Sequence, residues 1–207
     1  MIKPVKLFLI RHAPVKSLSG FFPQNDSNAI IEHSKFKKLA KFIPPDCIWY
    51  VSPLKRTLQT AKALSKYVSY SEMIKDKDLI EQNYGDWSGK KISEIWKTLS
   101  EIKNKHNFSF ISPEILPPNG ESFVQQCKRI QRWVEKLNIS DKKNIVIISH
   151  AGTIRAFLSH ALKIDPEYSI GVEIQNQSLS IFEMLAENDS KYRGGRFRLI
   201  TLNKIIY

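Results

Sequence analysis

Apolar positions along the chain fall into two kinds of run. Three runs are short and nearly unbroken: 5–10 (VKLFLI), 47–51 (CIWYV) and 145–148 (IVII). Such runs predict central strands covered on both faces, because a half-exposed strand would alternate apolar and polar residues. Each ends on polar side chains: Arg11-His12, Ser52-Pro53 and Ser149-His150. The other kind is amphipathic. After Ser52, apolar residues at Leu54, Leu58, Ala61 and Leu64 have helical spacing. Ser52 is the predicted N-cap of that helix, with Pro53 at its first position. Residues 151–162 read as a helix that starts directly after His150. Further helices are predicted over about 27–42, 88–106 and 121–137, with Glu121 or Ser122 capping the last. Residues 107–119, with Pro113, Pro117 and Pro118, read as a loop or small insertion. Two late strands, 179–183 and 197–202, are joined through Gly194-Gly195.

Strands alternating with helices imply an α/β fold with a largely parallel sheet. In such sheets ligands bind beyond the carboxyl ends of the strands. If the three runs are neighbours, Arg11, His12, Ser52 and His150 meet at one edge. Arg56 joins them one turn into its helix, near the end that favours an anion.

Composition narrows the classes. The 207 residues suit one domain, 1–207, with a cap-like insertion around 88–118. No run approaches the roughly 18 apolar residues of a membrane span. The first run is too short for a signal-peptide core, so a cytoplasmic protein with no membrane partner is expected. Cys47 and Cys127 are too few for a disulfide framework and lack metal-ligand spacing, so both are expected to be reduced and structural. Net charge is +12, from 32 basic and 20 acidic residues. That field suits an anionic partner such as a small phosphorylated metabolite. The lysines are nevertheless dispersed, as on a generic solvated surface. RGGRFR at 193–198 lies between two strand-like runs and reads as a hairpin connection, so no nucleic-acid partner is expected.

Two histidines and two arginines at one edge make a specific chemical picture. Guanidinium forks bind phosphate oxygens bidentately and stay charged. A neutral imidazole can attack phosphorus near pH 7. The arginines would offset charge on the transferring group, work that other phosphotransferases give to a metal ion, so no metal or cofactor is expected. The leaving alkoxide needs a proton, so a carboxyl group is expected nearby.

Five segments in order resemble the histidine phosphatase superfamily, also called phosphoglycerate mutase-like. They are LFLIRHA, SPLKRTLQTA, LIEQNYGDWSG, PNGES with Arg129 in the following helix, and ISHAGTIRAFL. The resemblance implies a three-layer α/β/α fold. It implies a nucleophilic His12, a phosphate pocket of Arg11, Arg56 and His150, and Glu81 as proton donor and then base. Ala13 and Ala151 stand where glycine is usual in the family, a small change. Pro14-Val15 and Leu18 replace polar family residues, which removes one substrate contact. Ser17, Ser19 or Gln24 could replace it, and Glu121 is a further candidate contact. The Arg-His-Ala-Pro-Val form is similar to a bacterial alpha-ribazole phosphatase-like subgroup. The implied activity is metal-independent hydrolysis of a small phosphomonoester through phosphohistidine. The alternatives are a phosphoglycerate mutase, whose family members usually carry longer insertions, and a non-catalytic basic binding module. Trp87 is expected to pack rather than stack on substrate. His33, His106 and His160 are expected to be structural or surface residues, and Arg155 to form a structural ion pair.

Overall fold

The computed structural model describes residues 4–16, 19–24, 26–99, 106–137, 139, 143–186 and 193–206. Six strands form one sheet: β1 (Val5–Arg11), β2 (Cys47–Val51), β3 (Tyr70–Lys75), β4 (Ile145–Ser149), β5 (Leu179–Met184) and β6 (Phe197–Lys204). Their spatial order is β3-β2-β4-β1-β5-β6. The first four are mutually parallel, and β5 and β6 are antiparallel additions beside β1.

The unbroken apolar runs follow from burial on both faces. In β1, Leu7 and Leu9 enter one core cluster while Phe8 and Ile10 enter the other. In β4, Ile145 and Ile147 face the first cluster, Val146 and Ile148 the second. The period of two along a strand sends neighbours to opposite faces, so a strand in the middle layer needs apolar residues at every position. Helices α4 (Phe123–Glu135) and α5 (Ala151–Leu162) cover the first face. Helices α1 (His33–Ala40) and α2 (Lys55–Leu64) cover the second. The result is the expected three-layer α/β/α arrangement. Each fully buried Leu, Ile or Phe contributes about 1.5–3 kcal/mol.

A third cluster stands apart from both faces. It gathers Phe22, Tyr84, Trp87, Ile95, Ile111 and Ile115 around helix α3 (Ile92–Thr98). Trp87 is buried there against Phe22, a packing role. Gly85 permits the close approach of this region to the 117–120 loop. It has φ of +49°, and a Cβ there would lie 2.0 Å from the Pro118 carbonyl oxygen.

Several predicted elements change. The helix over 27–42 is only α1, because 29–30 are drawn into extended pairing: Ala29 bridges Val15, and Ile30 N–H donates to the Pro14 carbonyl. Ser52 does not cap α2. The helix begins at Lys55 after an extended Leu54, and Ser52 is used elsewhere. Of the helix over 88–106, α3 is the observed part, while 100–105 lie outside the described residues. Strand β3 escaped notice because its YSEMIK segment is a largely exposed edge strand without an apolar run. The helix over 121–137 is α4, started by a capping box between Ser122 and Gln125. The chain continues from α5 into a short helix α6 (Pro166–Ser169) before β5.

Candidate active site

Strand register lines up the polar ends. Arg11 of β1 pairs with Ser149 of β4, and Val51 of β2 with Ile148. His12 N–H donates to the Ser149 carbonyl at 2.9 Å, and Ser52 N–H to the Ile148 carbonyl at 3.1 Å. Three adjacent strands, β2, β4 and β1, therefore deliver Ser52, His150 and His12 to one crevice.

The His12 and His150 rings meet edge-on, with centroids 5.1 Å apart. His12 Nδ1 lies 2.7 Å from the Ala13 carbonyl, which assigns the ring proton to Nδ1 and leaves a lone pair on Nε2. Arg56 Nε reaches that Nε2 at 3.2 Å. Burial holds the His12 imidazole down at about 3, with Arg56 and Arg11 adding to the effect and the Ala13 carbonyl opposing it. His150 is fully buried, and burial first, then His12 and the arginines, keeps it well below the ordinary imidazole range. Both rings are thus neutral near pH 7. Ser52 Oγ, freed from helix capping, lies 2.8 Å from His150 Nε2, while His150 Nδ1 has no hydrogen-bond partner among the described residues.

Arg11 donates Nη1 to the Ile174 carbonyl at 2.6 Å, and its Nε is buried without a partner among the described residues. Burial lowers both Arg11 and Arg56 from their ordinary value, and the Glu81 carboxylate acts in the opposite direction. Neither shift discharges an arginine. Ala13 is tolerated because its backbone is not in the left-handed region, and its N–H donates to Thr60 Oγ1 at 2.9 Å. Ala151 is likewise outside that region.

Glu81 sits in a loop pinned to the sheet edge. Ser149 Oγ donates to the Leu79 carbonyl, Thr153 Oγ1 to the Ile80 carbonyl, and Arg129 to the Asp78 and Ile80 carbonyls. Its carboxylate, half-buried, accepts from Gln82 N–H at 3.0 Å, from Gly152 N–H at 3.3 Å and from the Gln126 amide at 3.3 Å. Gln126 is fully buried on α4. Turned through 180°, the same amide accepts from the Gln82 and Thr153 N–H groups and the Thr153 hydroxyl, each at 3.2 Å.

A cavity of about 290 Å³ opens here, lined by Arg11, His12, Arg56 and Glu81 together with Lys16 and Gln24. Gln24 thus stands where a substrate contact was predicted. Ser17, with Leu18, lies outside the described residues. Glu121 lines no cavity at the site: it is paired with Arg129 and accepts from Asn83 N–H. Its charge anchors the helix that steadies the Glu81 loop. Arg155 also differs from expectation. Among the described residues it forms no ion pair; its Nε donates to the Val172 carbonyl at 2.6 Å beside the site. His106, His160 and His33 have structural surroundings: the Glu167 carbonyl, the Phe197 ring and the Tyr67 ring. Sequence reasoning set Ser52 at this edge but gave it a capping role, and it missed Gln126, Gly152 and Lys16. Gln126 carried one readable signal, a polar residue within the apolar stripe Phe123, Ile130, Trp133 and Val134.

Comparison with known proteins places the chain in a family and a fold. The family model described as histidine phosphatase superfamily (branch 1) matches residues 29–199. The match begins after Arg11-His12, so that dipeptide is placed by the sheet itself. Phosphoserine phosphatase 1 of Hydrogenobacter thermophilus is 27% identical over 197 residues, covering 87% of each chain. Among solved structures, a mycobacterial glucosyl-3-phosphoglycerate phosphatase superposes with a TM-score of 0.76 at 21% identity, covering 97% of this chain and 99% of its own. A putative alpha-ribazole-5'-P phosphatase from Escherichia coli has a TM-score of 0.74 at 18% identity, covering 98% and 97%. At these identities the two structures show the fold.

Proposed function

Since the chain belongs to the histidine phosphatase superfamily, we propose that it is a phosphatase that hydrolyses a small phosphomonoester through a phosphohistidine at His12. The observation that carries the reading is the buried, neutral His12, whose unprotonated Nε2 accepts from Arg56 Nε at 3.2 Å, in a cavity whose wall includes Glu81. In the first half-reaction Nε2 attacks phosphorus and the ester P–O bond breaks. Glu81 gives its proton to the departing oxygen, and the alcohol leaves. In the second, Glu81 takes a proton from water. The water oxygen attacks phosphorus, the P–N bond breaks, and inorganic phosphate leaves with His12 neutral again. Arg11 and Arg56 hold the equatorial oxygens, and their charge matches the charge that develops there. Ser52 O–H donates to His150 Nε2, which leaves His150 Nδ1–H to donate to a phosphoryl oxygen.

Candidate substrates run from alpha-ribazole 5'-phosphate, supported by the Arg-His-Ala-Pro-Val form and the fold likeness, to phosphorylated hydroxy acids, the kind of ester named for phosphoserine phosphatase 1. The test is hydrolysis of a chromogenic phosphomonoester in the presence of a chelator, with His12→Ala as control. Turnover that survives chelation and disappears in His12→Ala supports the reading. No turnover of any monoester sinks it, and transfer of the phosphoryl group to a second substrate oxygen would replace it with a mutase.

A further inference from the structure

The net charge of +12 is not spread evenly over the fold. Segment 76–97, which includes the Glu81 loop and α3, carries four lysines against five carboxylates. The helical layer of α1 and α2, residues 32–46 and 55–67, carries seven exposed lysines against two carboxylates, Glu32 and Asp46. Glu32 is taken by Lys35, and Lys55 is held by Asp26 from outside these segments. Lys37, Lys38, Lys41, Lys62 and Lys66 form no ion pair among the described residues. Phe36 and Leu39 turn one side of α1 to the core, so Lys35, Lys38 and Lys41, each three residues apart, form a row on its outer side. Lys62 and Lys66, four residues apart, form a second row at the end of α2. The two helices pack side by side, and the His33 ring meets the Tyr67 ring with centroids 6.1 Å apart. Apolar side chains stand out from the same layer. Ile31, Ile43 and Val68 pack into the second core cluster, while their neighbours Ile30, Phe42 and Tyr67 are exposed.

Rows of ammonium groups beside exposed apolar side chains match the chemistry of a phospholipid headgroup layer. The ammoniums meet phosphate and carboxylate groups, and the apolar side chains enter the interface. Nucleic acid is matched less well. The one arginine of these segments, Arg56, is buried in the site, so the face presents no guanidinium fork. Its two rings are engaged already, Phe42 by Lys204 Nζ at 4.1 Å and Tyr67 by His33, so neither offers a free platform for a stacked base. We propose that the outer face of α1 and α2 docks the protein on an anionic phospholipid surface. The expectation of no membrane partner rested on the lack of a spanning run, which does not bear on a surface charge field. The mouth of the site lies at the carboxyl ends of the strands, at the edge of the sheet rather than on this helical face. The docking face stands independently of the phosphatase reading.

The experiment is sedimentation of the full chain with vesicles at about 0.15 M salt, made of phosphatidylcholine alone or with about one-third phosphatidylserine. The protein should bind the anionic vesicles and leave the neutral ones. Lys38→Gln/Lys62→Gln should weaken that binding by about 20-fold, at about fivefold for each lysine near such a surface. Lys128→Gln/Lys136→Gln removes the same charge from exposed positions at α4, on the opposite layer, and should weaken it by less than about threefold. All four lysines are exposed and outside any ion pair among the described residues, so melting temperatures should stay at the wild-type value. Phe42→Ala should weaken vesicle binding severalfold and leave binding of a DNA duplex unchanged. No binding to anionic vesicles, equal binding to both kinds, or an equal loss in the two double variants overturns the docking face. So does tighter binding of a DNA duplex than of anionic vesicles at the same salt, lost in Lys38→Gln/Lys62→Gln, which would give the face to nucleic acid.

Discussion

Gly152→Ala is the sharpest probe of how Glu81 is held. Gly152 lies in the first turn of α5 with ordinary helical backbone, so the substitution introduces no conformational strain. What it introduces is volume. A Cβ there would sit 2.3 Å from Glu81 Oε1 and 2.9 Å from the Gln126 amide oxygen, where 3.4 Å is ordinary contact. Glu81 must therefore retreat by about 1 Å, and a misplacement of that size costs on the order of 10²-fold in rate. The retreat also stretches the 3.3 Å bond from Gly152 N–H to Glu81 Oε2. Alanine is a better helix former than glycine by about 1 kcal/mol, which offsets part of the clash, so the folded protein should persist. The assay is steady-state kcat and KM on a chromogenic phosphomonoester, with a thermal melt alongside. We expect kcat to fall by about 10²-fold with a smaller change in KM. In a Glu81→Gln background the same substitution should add little, because residues acting as one unit are not additive. A Gly152→Ala enzyme that keeps kcat within about threefold of wild type would refute the assignment of Glu81 as a positioned proton donor.

Other outcomes follow from the same geometry. Gln126→Leu should lower kcat by about tenfold and shift the pH profile, because an apolar side chain can serve neither protonation state of Glu81; an unshifted profile with only a lowered melting temperature would reduce Gln126 to a packing residue. Ser52→Ala should cost kcat rather than KM by about tenfold, read by the same assay, since His150 would lose the partner that sets its tautomer. Acid should destabilise the fold through the buried imidazoles. His12 is held down at about 3 against an ordinary 6.5, so between those values the unfolded chain takes up a proton that the folded chain refuses. Stability is then full above 6.5 and falls with acidification through that window, by about 1.4 kcal/mol per pH unit for each such histidine. Urea midpoints measured from pH 7 down to pH 4.5 check this, and His12→Asn should flatten the slope.

How legible the protein was in its sequence depended on the scale of the cause. The middle-layer strands announced themselves because burial on both faces forces apolar residues at consecutive positions, as in Leu7–Ile10 and Ile145–Ile148. His12 and His150 were legible because local motif and strand end coincide, and Arg56 because its helix follows the end of β2. Strand β3 was not, since its pairing with β2 comes from backbone hydrogen bonds that carry no side-chain pattern. Helix α1 was overextended for a related reason: Ala29 and Ile30 fit a helical pattern, but their backbone groups found partners at Pro14 and Val15.

The sequence alone determined the layer architecture and the chemical identity of the groups at the strand ends, because hydrophobic periodicity and residue type are local properties. Only the tertiary structure decided what several side chains do there. Ser52 has the local pattern of a helix cap, yet the parallel register of β2 and β4 sets it against His150. Glu121 has the pattern of a substrate contact, yet Arg129 takes its charge. Arg155 has the pattern of a structural ion pair, yet α5 carries it to the wall of a cavity beside Arg11 and Glu81. In each case the partner lies far along the chain, and a polar side chain's role is set by the nearest group able to satisfy its hydrogen bonds and charge.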